Sequence, residues 1–576
     1  MLSKTPLFDA AVKPILTALS PGQEMSCPLS GKTWPLSEEE IAWCHFFHVP
    51  PSKVEPETRL NYLGGFNTGF AFFWKTDDLT GKPILAAIHP DSPFKVISDA
   101  AWHAADHRLF GQEPDFFRSV FDQIWELETA VPFEASRNVN VDDASVAIAC
   151  VNTSESYMAC ASLVKRSFYT YTMVIGEDDM DVANGERVSR SFFVGGSRDI
   201  ADSAYIFDSN ACFHSTFLFD CWNCESCFGA TNKRNKKYLW FNEPLSQGEW
   251  EHRRKKVDLS DAGVLSACLS RFYELWRKEG IWPEAFSTGN EDGEGERLVQ
   301  CVRCHESYWQ MRSKDCFRVR LGLENDHVAY GSGNAWLSNS YMSTGGASGS
   351  DCKFCVASAK TRSSEYCINC LDCEYCFGCV SLKSKRYCVL NKQYNEETYW
   401  PLVDRLKTKM LQEEMYGEFF PAKFSISGFP FSMGELYFGY SDEDLRRFGV
   451  PVFDPTRGQV LAPTAKHEPL DPSVIPERLE EAQSFVGVPL RDAELGRNFS
   501  VTPAEYALRK QERWPFPRQH FISRLTNLIR HSNSPLREET KCASCGSSVL
   551  TYKNFVFPER RVFCRACYLS SLEKNG

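Results

Sequence analysis

Long apolar runs are missing from this sequence of 576 residues. No stretch approaches the ~18 consecutive apolar residues that a membrane-spanning helix needs, so we expect no membrane association of that kind. The first residues lack an uninterrupted apolar segment with a small-residue cleavage site after it, which argues against a secretory signal. We therefore expect a cytoplasmic protein whose thiols are free or bound to metal.

The motifs with the clearest catalytic meaning are missing as well. The sequence contains no GxGxxG, P-loop, GxSxG or HExxH motif, which removes the best-recognised nucleotide-binding, hydrolase and metalloprotease sites. The net charge of −11 argues against a chain that coats nucleic acid indiscriminately, although it is compatible with local basic patches. These absences favour a non-catalytic protein and leave enzymatic activity uncertain.

Cysteine, by contrast, is abundant, with 24 residues. Residues 221–250 and 370–399 align without a gap. Nine residues recur at matching positions: Cys221, Cys224, Glu225, Cys227, Phe228, Gly229, Lys236, Tyr238 and Asn242 as Cys370, Cys373, Glu374, Cys376, Phe377, Gly378, Lys385, Tyr387 and Asn391. A single metal site would not need a second copy with the same spacing, so the repetition indicates a duplicated architecture.

A shorter repeat underlies this duplication. From Ser136 onward, a Ser, Asn or Asp is often followed three residues later by an apolar residue or cysteine, mostly at intervals of 11 or 12 residues. The fourth position falls at Val146, Tyr157, Phe168, Met180, Phe192, Ala204, Cys212, Cys224 and Tyr238. Units this short must stack on their neighbours to bury a core. The pattern predicts a mainly β protein with α+β ends, in which two tandem parallel β-solenoids are flanked by zinc-ribbon-like modules.

The same patterns predict the domain boundaries. We expect a degenerate zinc-ribbon-like α+β module at 1–135, a first solenoid with a helical cap at 136–256, a helix and flexible linker at 257–300, a second Cys-rich solenoid with a helical cap at 301–410, a Pro/Gly-rich connector at 411–495 and a zinc-ribbon module at 496–576. The acidic, Gly-rich run at 287–296 is the flexible part of the linker. Apolar spacing predicts a helix over 115–130 with Phe117 on its buried face.

The terminal modules are related to each other. Six residues recur at a constant offset: Gly31, Glu40, Pro50, Arg59, Leu60 and Gly81 as Gly496, Glu505, Pro515, Arg524, Leu525 and Gly546. The relation predicts one module type at both ends of the chain.

Two CxxC pairs in the C-terminal module form the strongest single motif. They are Cys542 with Cys545 and Cys564 with Cys567. Four thiolates at this spacing can close tetrahedrally on Zn²⁺, and with no open position that zinc would be structural. The matching N-terminal positions are Asp77, Thr80, Ser98 and Ala101. We expect that copy to be held by its core alone.

A second run places a cysteine at every third position. Its members are Cys367, Cys370, Cys373, Cys376 and Cys379, with Cys352, Cys355 and Cys388 nearby. Small buried side chains that line a narrow solenoid would explain the run. The alternatives are a second metal or iron–sulfur cluster and thiol redox chemistry, although the ferredoxin spacing is not matched.

Basic residues cluster in and after both predicted solenoids. They are Lys233, Arg234, Lys236, Lys237, Arg253, Arg254, Lys383, Lys385 and Arg386. Cations beside Tyr238 and Tyr387 could contact phosphates of a nucleic acid while the rings stack on bases. Solvated corners of the solenoid are the alternative interpretation.

Several segments resemble an uncharacterised family of Cys-rich repeat proteins from candidate-phylum bacteria. The segments are FGCVSLKSKRYCVLNKQYNEETY with the Cys-x-x-Cys run before it, EFFPAKFSISGF, SGKTWPLSEEE and KCASCG. The resemblance implies zinc-ribbon-like terminal modules and no particular activity. Its members usually keep cysteines where this chain has Ser30, Val54, Glu57, Asp77, Thr80, Ser98 and Ala101, so it does not imply zinc at the N-terminal end.

Taken together, these patterns predict a non-catalytic, zinc-containing β-solenoid scaffold that binds a partner protein or nucleic acid. The alternative is a metal- or thiol-dependent enzyme that uses the Cys352–Cys388 cluster.

Overall fold

The computed structural model describes residues 3–172, 174–458 and 468–576. Helices contain 27% of the residues and strands 29%, so the fold is mixed α/β with a larger helical share than the predicted mainly β fold. The expected connector at 411–495 carries short helical segments and lies partly outside the described residues.

Residue contacts divide the chain into two compact units, each built from distant segments. The first unit contains residues 1–71, 75–135 and 286–453, and the second contains 72–74, 136–285 and 454–576. Each unit therefore combines one terminal module with the repeat region that is not adjacent to it in sequence.

The repeat region of the second unit forms parallel strands with a 12-residue register. Phe168 lies beside Met180, Met180 beside Phe192 and Phe192 beside Ala204. The larger sheet contains Val146–Ile148, Tyr157–Cys160, Phe168–Tyr171, Met180–Ala183, Phe192–Gly195, Ala204–Phe207, Thr216–Phe219, Phe228–Thr231, Leu239–Trp240 and the antiparallel Glu243–Pro244. The smaller sheet contains Leu163–Lys165, Ile175–Glu177, Glu186–Ser189, Arg198–Ala201 and Asn210–Phe213. The sequence repeat is thus the register of the sheets.

The first unit repeats this register. Its strands are Glu294–Val299, Val302–Met311, Lys314–Phe317, Arg320–Leu323, Asp326–Ala329, Ser332–Ala335, Ser338–Tyr341, Glu374–Phe377, Arg386–Val389 and the antiparallel Lys392–Gln393. Between Ser338–Tyr341 and Glu374–Phe377, the register continues as isolated parallel bridges between residues 12 apart. The linker predicted at 287–296 is wrong, because Thr288 bridges Val299 and Glu291 bridges Val302 in parallel.

Left-handed backbone recurs at about every third residue of both repeat regions. Between Asp199 and Asp220, eight such residues have φ between 47° and 61°. Left-handed backbone is strained for residues other than glycine, so the hydrogen bonds and burial between neighbouring strands must offset the strain.

The buried side chains of the second unit's repeat region are apolar in the early strands and rich in cysteine in the later ones. Val182, Val194 and Ile206 are followed 12 residues apart by Leu218, all with 0% exposure. In the first unit, a buried cluster consists of eight cysteines and Leu382.

Helices surround the repeat regions. In the first unit they are Pro6–Thr17, Glu38–Phe47, Pro56–Gly64, Asp99–Ala104, Val120–Ala130, Glu396–Gln412, Met433–Phe438 and Asp442–Arg447; in the second they are Gln247–Lys255, Ala262–Glu279, Pro503–Glu512, Phe521–His531 and Arg565–Asn575. The helix predicted over 115–130 begins only at Val120. Phe117 is fully exposed, because the Asp115 side chain accepts the Phe117 N–H at 2.8 Å and holds the preceding residues in a turn.

Short strands complete the terminal modules. They are Glu24–Ser26, Thr33–Pro35, Phe73–Thr76, Pro83–Ala86, Val96–Ile97 and Phe133–Glu134 at the N-terminal end, and Trp282–Pro283, Leu490–Asp492, Arg497–Phe499, Arg537–Lys541, Ser548–Tyr552 and Val562–Phe563 at the C-terminal end.

Candidate metal centre and the module interfaces

The four predicted metal ligands come together in the second unit. Cys542 and Cys545 lie in the turn between Arg537–Lys541 and Ser548–Tyr552, and Cys564 and Cys567 lie at the start of Arg565–Asn575. The four Sγ atoms all lie within 4.8 Å of one another. This group can hold a metal ion, and an all-thiolate set suits a soft or borderline cation.

Backbone donors favour the ligand form of these thiols. Cys542 Sγ accepts the Cys564 N–H at 3.3 Å. Burial raises the pKa of Cys542, but N–H groups of Cys545, Cys564 and Ser544 outweigh that effect and lower it to about 6. Since the thiolate is the form that binds metal, the loop favours binding at neutral pH.

The helix that carries Cys567 is anchored to the repeat region of its unit. The Tyr568 hydroxyl donates to the buried Asp220 carboxylate. Arg234 donates to the Tyr568 oxygen at 3.0 Å and to Asp220 at 2.8 Å, and Lys233 donates to the Asn575 carbonyl at 2.6 Å. Two residues predicted to contact nucleic acid therefore hold the metal-site helix in place.

The first unit uses its basic cluster in a related way. Lys383, which occupies the position of Arg234 in the duplicated sequence, donates to the His103 carbonyl at 2.9 Å. Lys385 lies 3.8 Å from the Asp106 carboxylate. His103 belongs to the short helix that matches the metal-site helix, so both clusters contact the module of their own unit.

The other predicted nucleic-acid contacts also have positions in the structure. Lys237 pairs with Glu225 at 2.6 Å, Arg386 with Glu374, and Arg253 with Glu249 at 2.7 Å. Arg254 donates to the Val257 carbonyl at 2.9 Å, and Lys236 is exposed. Exposed ion pairs of this kind add little stability. They nevertheless pair these cations with carboxylates of the protein instead of leaving them for phosphates.

A buried arginine joins the N-terminal module to its repeat region. The guanidinium carbon of Arg59 lies 4.0 Å from the centre of the Tyr330 ring. Arg59 also donates to Glu40 at 3.0 Å and to the Val54 carbonyl at 2.8 Å, and only 1% of it is exposed. The arginine therefore packs on the tyrosine while a buried carboxylate balances its charge.

The C-terminal module uses the matching residues. Arg524 lies 4.9 Å from the Tyr169 ring centre and donates to the Gln519 carbonyl at 2.7 Å. It binds Asp181 through two bonds of 2.8 and 2.9 Å, and the Tyr169 hydroxyl donates to Glu505 at 2.6 Å. The repeated Glu and Arg of the sequence thus mark the module–repeat interface in both units.

Sequence reasoning found these acids and arginines without their tyrosine partners. Tyr169 and Tyr330 have left-handed backbone, with φ of 57° and 53°. A bulky residue in that conformation is strained and persists where surrounding contacts over-determine it. The sequence shows where these tyrosines fall in the repeat, but it does not show which module covers them.

The predicted second thiol cluster has a structural explanation in its hydrogen bonds. The thiols of Cys367, Cys370, Cys373, Cys376 and Cys379 each lie 3.4–3.6 Å from the carbonyl two residues earlier. Serines at equivalent positions, 12 residues apart in the repeat, make the same bonds. The Ser364 hydroxyl accepts the Cys376 N–H at 3.0 Å and donates to the Arg362 carbonyl. Cysteine here replaces serine as a small donor.

The electrostatics of this run differ from one thiol to the next. Burial raises the pKa of Cys379, but bonds from Cys367 and Cys376 outweigh that effect and lower the pKa to about 6. Burial raises the pKa of Cys367 to about 11. Donation from Cys370 and Cys376 lowers the pKa of Cys373 to about 4, yet each donor has one hydrogen and already has a carbonyl acceptor. Among the described residues, the sets whose ligand atoms all lie within 4.8 Å are the four-cysteine group and Asp315, Asp326 and His327, so the run is not such a set.

An apolar stripe lies on the outside of the second unit's repeat region. Val139, Val151, Leu163 and Ile175 occupy equivalent positions in four successive repeats, 12 residues apart. They are 53%, 37%, 41% and 43% exposed. Polar pairs follow the stripe along the chain. Asn140 and Asn152 are joined at 3.1 Å, and Lys165 lies 3.7 Å from Glu177.

A cavity of about 370 Å³ lies beside the metal-site helix, with Lys233, Lys278 and Arg561 in its wall. Its cations face the carboxyl ends of two helices: Lys233 donates to the Asn575 carbonyl, and Arg561 donates to the Glu279 carbonyl at 2.6 Å. Since helix carboxyl ends are negative, these cations have a structural role.

The comparisons add no relative. Neither a scan against protein-family models nor a search of curated proteins gives a match. Within the described ranges, no helix combines the length and apolar character needed to cross a membrane.

Proposed function

We propose that this chain is a non-catalytic, cytoplasmic scaffold in which two parallel β-solenoids are each clamped by a zinc-ribbon-like module. The 12-residue register, with a corner at every third residue, is what a four-sided solenoid coil requires. Each module packs the matching buried arginine on a tyrosine of its repeat region, Arg59 on Tyr330 and Arg524 on Tyr169, and this supports the assignment of both modules to one type.

The proposed metal is one structural Zn²⁺ at Cys542, Cys545, Cys564 and Cys567. Four thiolates leave no position for substrate, so the ion would stabilise the ribbon and, through Tyr568, its contact with the solenoid. The ion supplies cross-linking of two loops and takes part in no reaction.

The observation that carries the scaffold role is the apolar stripe of Val139, Val151, Leu163 and Ile175. An ordered row of exposed apolar side chains beside polar pairs is typical of a protein-binding surface. A nucleic-acid partner is less well supported, because the predicted basic contacts pair mostly within the protein. The thiol-enzyme alternative is disfavoured by the burial of its cysteines.

The stripe can be tested by making it charged. Val151→Lys combined with Leu163→Lys changes outward positions and should leave the interior intact, whereas Val452→Lys charges an isolated side chain that is 96% exposed. Affinity purification after nuclease treatment, with cross-linking to map the contacts, should recover a protein cross-linked to the stripe with the wild type and the control only. Recovery of RNA or DNA, with binding that weakens steeply between 50 and 200 mM salt, would overturn the proposal.

A further inference from the structure

Four loops of the two terminal modules share one backbone conformation. They are residues 27–31, 77–81, 492–496 and 542–546. In each, the N–H of the closing glycine donates to the carbonyl of the first residue, at 2.8–2.9 Å, and that glycine has φ between 67° and 77°. The loop at 542–546 holds two of the metal ligands, so its conformation is that of a metal-binding knuckle.

The first residue of each loop is a cysteine or an aspartate. In the metal-binding loop, Cys542 Sγ accepts a backbone N–H from Cys564, which lies in the crossing segment. Cys27 Sγ accepts the Ser30 N–H at 3.3 Å within its own loop. The side chain of the first residue therefore accepts backbone N–H groups in both loops.

Asp77 also gathers N–H groups from its own loop and from the crossing segment. Its carboxylate accepts the N–H groups of Leu79 at 2.8 Å, Thr80 at 2.9 Å and Ser98 at 3.2 Å, and it is 4% exposed. Burial raises the pKa of Asp77, but these donors outweigh it and lower the pKa overall. Ser98 occupies the place of Cys564, so the carboxylate joins the same two segments that a metal would join.

Asp492 repeats the arrangement in the C-terminal module. Its carboxylate accepts the Leu495 N–H at 3.1 Å from its own loop and the His520 N–H at 2.9 Å from a crossing segment. The Ser523 hydroxyl adds a third bond at 2.7 Å. Two loops in different units thus use one carboxylate in one way.

We propose that the carboxylates of Asp77 and Asp492 each replace a metal ion as the cross-link between a knuckle and its crossing segment. Each carboxylate has two oxygens, so it can accept from both segments at once, as a metal ion binds ligands from both. The N-terminal knuckle is then a metal site converted to a hydrogen-bonded one. This inference uses the metal assignment of the four cysteines and is independent of the proposed partner.

Hydrogen exchange tests the role of Asp77. In the full chain, Asp77→Ala should speed exchange of the Leu79, Thr80 and Ser98 amides by roughly 10- to 100-fold, since bonds to a charged group are the strong ones. Thr80→Ala is the matched control, because it keeps the backbone donor. Unchanged exchange in Asp77→Ala would overturn the proposal, as would faster exchange of these amides in the wild type after chelation.

Metal content tests the conversion itself. The variant Asp77→Cys/Thr80→Cys/Ser98→Cys/Ala101→Cys should bind one more Zn²⁺ per chain than the wild type, whereas Asp77→Cys alone should not. If the quadruple variant folds, as judged by unchanged exchange in the repeat regions, and binds no additional metal, the loop is not a knuckle. If it does not fold, the Asp77→Ala exchange result decides.

Discussion

The two units solve one structural problem with different chemistry. In the second unit, four cysteines gather around a point where a metal can cross-link two segments. In the first, Asp77 gathers three N–H groups at the corresponding place. Both modules nevertheless pack a buried arginine, Arg59 or Arg524, against a tyrosine of the repeat region. The interface is therefore common to both units, and the cross-link inside the module is what differs.

Removing a metal ligand should produce the largest difference in stability between the modules of the two units. Cys564→Ser should abolish tight zinc binding and unfold the C-terminal ribbon, since binding a structural zinc contributes on the order of 10 kcal/mol. Ser98→Ala changes the matching residue of the N-terminal module and should have a far smaller effect. Hydrogen exchange of the two modules measures both, and equal loosening of the two would contradict the account.

The docking arginines should give the next largest effect, and a similar one in both units. Arg524→Ala leaves the fully buried Asp181 without two bonds, and Arg59→Ala leaves the buried Glu40 without one. Breaking a buried pair in this way costs about 3–5 kcal/mol. Denaturant unfolding should show the loss for each variant, with Arg253→Ala as an exposed control. A loss below about 1 kcal/mol would argue against buried docking.

Acid should distinguish the units through Glu365. Burial raises the pKa of this carboxyl, but Lys353 and Lys407 outweigh it and lower the pKa to about 2, against 4.5 ordinarily. The folded state then binds fewer protons, so stability present above pH 4.5 is lost as pH falls toward 2, by about 3 kcal/mol. Thr216 stands at the matching position of the second unit.

Unfolding of the first unit followed by exchange between pH 5 and 3 checks this effect. Glu365→Gln should flatten the dependence in that unit and leave the second unit unchanged. A pH profile that is the same for wild type and Glu365→Gln would rule out the assignment.

The buried cysteines of the repeat region should give the smallest effect. Cys376→Ser replaces a thiol by the hydroxyl that occupies the equivalent position at Ser364, so the carbonyl acceptor keeps a donor. We expect a change of less than about 1.5 kcal/mol in unfolding free energy and no change in metal content. Loss of bound metal in this variant would instead support the cluster alternative.

Local patterns in the sequence predicted much of this architecture. The repeat positions from Val146 to Ala204 are the first residues of strands, as the repeat predicts. The next predicted positions, Cys212 and Cys224, are wrong, since the corresponding strands begin at Thr216 and Phe228. Cysteines at every third position make alternative alignments of the repeat look alike.

Long-range pairing could not be read in the same way. The repeated Glu and Arg residues mark a module but do not say which repeat region it covers, since both regions carry suitable tyrosines. Likewise, the sequence shows Asp77 only as the replacement of a metal-binding cysteine. Its hydrogen bonds come from backbone N–H groups, which side-chain identity does not reveal. Such bonds appear only once the crossing segment has been positioned.

Metal content of anaerobically purified protein, measured together with its visible spectrum, tests the central claim most directly. The account predicts about one zinc per chain, no iron and no colour, because Cys542, Cys545, Cys564 and Cys567 form one thiolate site and the other thiols bond to the backbone. Stoichiometric iron with visible absorbance would contradict it and would direct attention to Cys367, Cys370, Cys373, Cys376 and Cys379.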